Sequence, residues 1–223
     1  MKNQFEKLYA QNRVFIVSDK SLLSAPVDTI VNPANSGLSH GGGLAEQILL
    51  EAGSKLEKEC YQIIQHLGKI SVTKAVVTTA GQLPYQSVIH AVGPRMGDGE
   101  EQSKIETTII NCLQIAEKSQ WKSIAFPAIS TGIFCVPKAV CAKAFDKAIS
   151  YYWENFPNST IKSIWLCLLT EDYPIFEKIL NQGKTQKEES QSNQNTGIPI
   201  YELNEEEIDL EDDSDISDWM VKK

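Results

Sequence analysis

Two asparagines three apart, Asn32 and Asn35, close an apolar run and lead into His40-Gly41-Gly42-Gly43. Asparagine side chains are neutral, and each carries both a donor and an acceptor. They suit sugar hydroxyls, or the task of holding a loop in shape. Of the two, Asn32 sits at the strand end and reads as the loop holder, whereas Asn35 reads as the one pointing into a site. Three glycines allow the backbone to approach a ligand closely. Where they open a helix, they leave unpaired amides at the positive end of its dipole, which favours an anion. A second stretch, Pro127 to Pro137 (PAISTGIFCVP), repeats the arrangement. Ser130, Thr131 and Gly132 supply hydroxyls and amides, and Ile133 and Phe134 place an apolar pair at the mouth. Two amide-rich loops at one sheet edge can grip two phosphates. The first loop lacks the GKS/T ending of a P-loop and the GxGxxG of a dinucleotide fold.

Such loops need strands to deliver them and helices to follow. Runs rich in β-branched residues occur at Val14–Val17, Thr29–Asn32, Lys74–Thr79, Ser87–Val92, Ser123–Pro127 and Ser163–Leu169. Several are apolar without alternation, as strands covered on both faces are. Helical spacing marks Gly43–Cys60, Gln102–Lys118, Pro137–Trp153 and Asp172–Leu180. Alternating strands and helices predict a three-layer α/β/α sandwich around a central mixed, mostly parallel sheet. In such sheets ligands bind beyond the carboxyl ends of the strands, where both loops fall.

The chain has 223 residues and a net charge of −8. The segment 181–223 holds 4 Lys against 12 Asp+Glu, which leaves residues 1–180 with 17 of each sign. A neutral folded part offers no general attraction for nucleic acid. Residues 1–180 read as one domain, 181–197 as a polar disordered linker and 198–223 as an acidic disordered tail. Within the tail, Ile208-Asp209-Leu210 followed by Glu211-Asp212-Asp213 resembles a SUMO-interaction motif, a type that adds a strand to a partner's sheet. No apolar run reaches the ~20 residues of a membrane span, and the N-terminus lacks the pattern of a signal peptide. Five cysteines without CxxC or His-paired spacing predict free thiols in a reducing compartment, cytoplasmic or nuclear, and no metal site.

The motifs Ser18-Asp19, VDTIVNPAN (27–35), HGGGLA (40–45), AGQLPYQSVIHAVGP (80–94) and PAISTGIFCVP (127–137) occur in this order. Together they resemble the macrodomain family over about residues 12–180. The pattern is most similar to the macrodomains of multi-macrodomain ADP-ribosyltransferases and to viral macrodomains. The resemblance implies ADP-ribose, free or on a modified protein, as the ligand, no cofactor, and a monomer. It aligns Asp19 with the aspartate that accepts from the adenine amino group, and Asn35 with the asparagine at the distal ribose. It assigns Gly41, Gly42, Gly43 and Leu44 to a first diphosphate loop. Ser130, Thr131, Gly132, Ile133 and Phe134 form the second, with Phe134 against the distal ribose. Asn32 and His40 complete the site, His40 as a loop histidine. Asn35, His40, Gly43 and Phe134 are the catalytic candidates. Many hydrolytic members carry an aspartate where this chain has Ala45, with Glu46 next to it. The activity implied is therefore removal of ADP-ribose from Asp or Glu side chains, reading of ADP-ribose without turnover, or processing of another ADP-ribose derivative such as an acetylated or phosphorylated form.

Overall fold

The computed structural model describes residues 3–182. The linker from residue 183 onward, the acidic tail and its SUMO-like motif lie outside the described residues. Seven strands form one sheet in the order β1-β2-β7-β6-β3-β5-β4. They are β1 Gln4–Tyr9, β2 Arg13–Ser18, β3 Thr29–Ala34, β4 Ala75–Thr79, β5 Ser87–Val92, β6 Ser123–Pro127 and β7 Ser163–Cys167. The five inner strands are parallel, and the edge strands β1 and β4 run antiparallel to their neighbours. Helices α1 Gly43–Ala52, α2 Ser54–Leu67, α3 Glu101–Lys118, α4 Lys138–Asn155 and α5 Tyr173–Gln182 complete the sandwich. The mixed, mostly parallel sheet and three layers agree with the sequence reading.

Because successive strand residues face opposite sides, each inner strand divides its apolar residues between two cores. Phe15, Val17, Val31, Ile89, Ile124, Phe126 and Leu166 face α3, α4 and α5. Ile16, Ile30, Val88, Ala125 and Trp165 face α1 and α2. The helices supply matching stripes: Ile105, Ile109, Cys112, Leu113 and Ala116 on α3, and Leu56, Cys60 and Ile63 on α2. Spacing of three and four places such residues on one face.

Two elements depart from the sequence reading. The single helix predicted over Gly43–Cys60 is two helices, broken at Gly53, whose φ is +82°. A left-handed residue ends α1 there, and glycine adopts that conformation without the steric cost other residues carry. The strand β1 has no counterpart among the predicted strands. It is half exposed and carries Glu6 and Lys7, so its composition hides it. Phe5 and Tyr9 pack on the core, and Lys7 pairs with Asp146 of α4.

One detail of the sheet creates the cleft. β3 matches β5 at six positions, but it matches β6 at only two, Thr29↔Ile124 and Ile30↔Ala125. At the amino end Asp28 fastens the pair: its carboxylate accepts from the amides of Lys122 (2.8 Å) and Ser123 (3.0 Å) and from the Ser123 hydroxyl (2.9 Å). Beyond that point β3 and β6 part. The chain then leaves β3 for α1 on one face of the sheet and leaves β6 for α4 on the other. This is a topological switch point, where open α/β sheets bind ligands.

Candidate functional site: a cleft between two strand-to-helix loops

The first loop, residues 35–42, runs from the end of β3 to the start of α1. Asn35 shapes it. Its Oδ1 accepts from the amides of Gly37 and Ser39, both at 3.1 Å, and its Nδ2 donates to the Ser39 carbonyl and hydroxyl, both at 2.9 Å. The carboxamide expected to point into the site is thus engaged within its own loop. Further on, the Gly41 and Gly42 amides donate to no group among the described residues. A Cβ added to Gly41, Gly42 or Gly43 would meet nothing within 4 Å, so open space lies before this backbone. Gly42 has φ 155° and ψ 169°, a conformation essentially restricted to glycine. The first amides of α1 follow directly, with the partial positive charge of a helix start. Leu44 is half-buried and packs on the α1/α2 core, Ala45 is buried, and Glu46 is exposed. The position of the missing acid is therefore turned into the protein.

Beneath this loop lies a cluster that sequence spacing did not join. The loop's His40 stacks edge-on against His90 of β5, with ring centroids 5.7 Å apart. Fully buried His90 pairs its Nδ1 with the Asn32 Nδ2 (3.0 Å) and its Nε2 with Thr78 Oγ1 (2.8 Å). Asn32, expected to hold the loop, is buried, and its Oδ1 has no partner among the described residues. The Nε2 of His40 is likewise buried and unpaired. Cys60 of α2 lies 3.7 Å from His90 Nε2. Burial keeps all three groups neutral. It pushes His90 down to about 3, lowers His40 below the usual histidine range and pushes the Cys60 thiol up to about 12.

The second loop, residues 128–137, is built differently. Backbone bonds fold it: Thr131 N–H to Ala128 O (3.3 Å), Cys135 N–H to Gly132 O (2.9 Å) and Val136 N–H to Ser130 O (3.0 Å). Ser130 and Cys135 hold left-handed conformations, with φ 67° and 58°, without being glycine. The amides of Gly132, Ile133 and Phe134 make no hydrogen bond among the described residues, and a Cβ on Gly132 would meet open space. The Ser130 hydroxyl is buried against Gly93 of the β5 loop, where a Cβ would come within 2.3 Å of it. Ile133 is 81% exposed at the rim. Half-buried Phe134 lies under the Arg95 guanidinium, 4.9 Å from its ring centre, and its carbonyl accepts from the Met96 amide at 2.8 Å. Arg95 and Gly93 thus belong to the site's frame. Gly93 was legible only as part of the AGQLPYQSVIHAVGP motif, with no chemistry of its own, and Arg95 falls just beyond that motif.

Asp19 follows β2, further along the same carboxyl edge. Its two oxygens take the amide (2.9 Å) and side-chain Nδ2 (3.2 Å) of Asn3. The carboxylate closes the β1–β2 pair there and retains lone pairs for a further donor.

A parallel sheet parted at its switch point, with two amide-presenting loops at the opening, defines an anion-binding α/β module. The Macro domain family model matches residues 31–145, and the chain belongs to that family. It is 36% identical over 158 residues to the O-acetyl-ADP-ribose deacetylase of an Enterobacter species, covering 70% of this chain and 87% of that protein. It is 38% identical over 166 residues to the human protein mono-ADP-ribosyltransferase PARP14, covering 71% of this chain but 9% of that much longer one. Among solved structures, the Oceanobacillus iheyensis macrodomain with ADP superposes with a TM-score of 0.77 at 22% identity, covering 83% of this chain and 98% of that one. The Trypanosoma brucei macrodomain in complex with ADP-ribose gives a TM-score of 0.66 at 24% identity, covering 76% and 68%.

Proposed function

We propose that the cleft binds ADP-ribose and that the protein hydrolyses the ester joining its distal ribose to an Asp or Glu side chain of a modified protein. The observation that carries the binding half is the pair of unpaired amide sets, Gly41-Gly42 with the start of α1 and Gly132 to Phe134. They flank one opening, with empty space before the glycines. A diphosphate supplies an anionic oxygen for each side. Asp19, along the same edge, offers an acceptor to an amino group such as that of adenine. Phe134, braced by Arg95, offers an apolar face to the distal sugar.

The catalytic half is supported by a relative whose named activity also breaks an ester of ADP-ribose, with acetate in place of a side-chain carboxyl. With Ala45 buried, no carboxylate stands at that position to draw a proton from water. Rate acceleration then comes from fixing the sugar and a water against the diphosphate, and from donors aimed at developing charge. A reader without turnover is the second reading. It is favoured by Asn35, whose carboxamide is already committed within its loop. Calorimetry with ADP-ribose, paired with a release assay on Glu/Asp-modified protein, tests both halves. Heat with release is the expected result. Heat without release leaves the reader, and absence of heat overturns the placement of the ligand.

A further inference from the structure

We infer that His40, Cys60 and His90 form a binding site for a thiophilic divalent cation, zinc being the natural occupant, beneath the first loop. Their ligand atoms all lie within 4.8 Å of one another. In a tetrahedral zinc site, with Zn–S about 2.3 Å and Zn–N about 2.0–2.1 Å, neighbouring ligand atoms stand roughly 3.5 Å apart. The Cys60 Sγ and His90 Nε2 are already 3.7 Å apart. Modest side-chain adjustment therefore closes the triangle. One sulfur and two imidazole nitrogens form a donor set suited to zinc, and a poor one for hard cations such as magnesium or calcium.

Two orphaned polar atoms point the same way. The buried Nε2 of His40 has no partner among the described residues, although a buried polar group without one is costly. The Oδ1 of Asn32 is the other. With the Asn32 amide nitrogen facing Nδ1, that nitrogen accepts and the His90 proton belongs on Nε2. A half-turn of the Asn32 carboxamide would bring Oδ1 to face Nδ1. The proton then sits on Nδ1, and the Nε2 lone pair is free for the metal. This is the outer hydrogen bond that zinc-bound histidines ordinarily make. Thr78, released by Nε2, keeps its bond to the Thr79 carbonyl (3.1 Å). Binding breaks the Cys60 S–H bond, forms the sulfur–metal bond and releases the proton to solvent. Three protein ligands leave a fourth position for water. The ion would fasten the base of the glycine loop to α2 and β5, to which residues 35–42 make no hydrogen bond among the described residues.

The test uses the full chain with Cys135→Ser, which removes the exposed thiol. Cobalt(II) titration should reach one equivalent, with tetrahedral d–d bands and a thiolate-to-cobalt charge-transfer band in the near ultraviolet. Cys60→Ser should lose the charge-transfer band. His40→Gln, at a half-buried position, should weaken cobalt binding by at least about tenfold, the loss that an outer-shell partner alone can cause. X-ray absorption at the zinc edge of the zinc-loaded chain needs neither ligand variant. One sulfur and two imidazoles in its first shell are expected. A nitrogen- and oxygen-only shell, or a charge-transfer band that survives Cys60→Ser, would overturn the site.

Discussion

The two loops of the cleft present similar amides on differently weighted supports. The first leans most on one side chain: Asn35 ties Gly37 and Ser39 together above the His40–His90 pair, beside one turn bond from Leu38 N–H to Asn35 O (2.9 Å), a bond from Ile70 N–H to Ser36 O (2.9 Å) and a left-handed Leu38. The second is shaped by its own backbone, with three turn bonds and two non-glycine residues held left-handed. A loop held chiefly by one side chain is weakened most by one substitution. A loop held by several backbone bonds must be pushed from outside.

The largest effect is expected from Gly42→Val. The restricted backbone conformation alone costs of order 1–3 kcal/mol, and the branched side chain enters the space reserved for ligand. Calorimetric binding of ADP-ribose should vanish; an affinity within tenfold of the parent would move the diphosphate away from the first loop. Next comes Gly93→Ala, the outside push on the second loop. Its Cβ meets the Ser130 hydroxyl at 2.3 Å and Ile129 Cγ2 at 2.7 Å. Overpacking of this kind costs about 1–3 kcal/mol, read as a lower Tm together with weaker binding. Adding Ser130→Gly, which also suits the left-handed backbone there, should recover part of the loss, whereas independent effects would show that the contact does not govern the loop.

Asn35→Ala should lower stability by about 1–2 kcal/mol through lost hydrogen bonds. Thr131→Ala, which removes one side-chain bond to the Ala128 carbonyl, should cost at most about 1 kcal/mol. Equal melting shifts would erase the contrast between the loops. Release kinetics sharpen the first variant further: a fall in turnover beyond the fall in affinity places Asn35 at the reacting sugar, and matched falls confine it to loop shape. The smallest change is expected from Arg95→Ala. An exposed cation–π contact contributes about 0.5–1 kcal/mol, so KM should rise a few-fold with kcat nearly unchanged. A selective loss of kcat would instead place Arg95 at the chemistry.

The sequence revealed strands more readily than edges. TIVN and SIAFP are apolar on both faces because helices cover both, and such runs resist other readings. β1 is half wet and charged, so no run of apolar residues marks it. Gly53 lay inside a helical pattern that continues smoothly in polarity on either side. Only the backbone twist reveals that α1 stops and α2 begins anew. The glycine and Ser-Thr-Gly loops were legible because composition alone says that bare amides follow a strand. The convergence of His40, Cys60 and His90 was not. They lie 20 and 30 residues apart, and only the crossing of loop, helix and strand joins them. The direction of the Asn35 carboxamide was hidden for a related reason. An asparagine serves a sugar and a turn equally well, and the choice depends on the backbone around it.

The alternation along the inner strands has a further consequence. Each loop opens into a helix that belongs to a different core, α1 to one and α4 to the other, and the two cores share little beyond the sheet itself. The molecule is in this sense a pair of half-shells glued to a common wall, with the ligand cleft along the seam. A descendant lineage can exchange packing residues in one half-shell while the opposite jaw keeps its inherited shape. Each side of the grip can therefore drift on its own schedule.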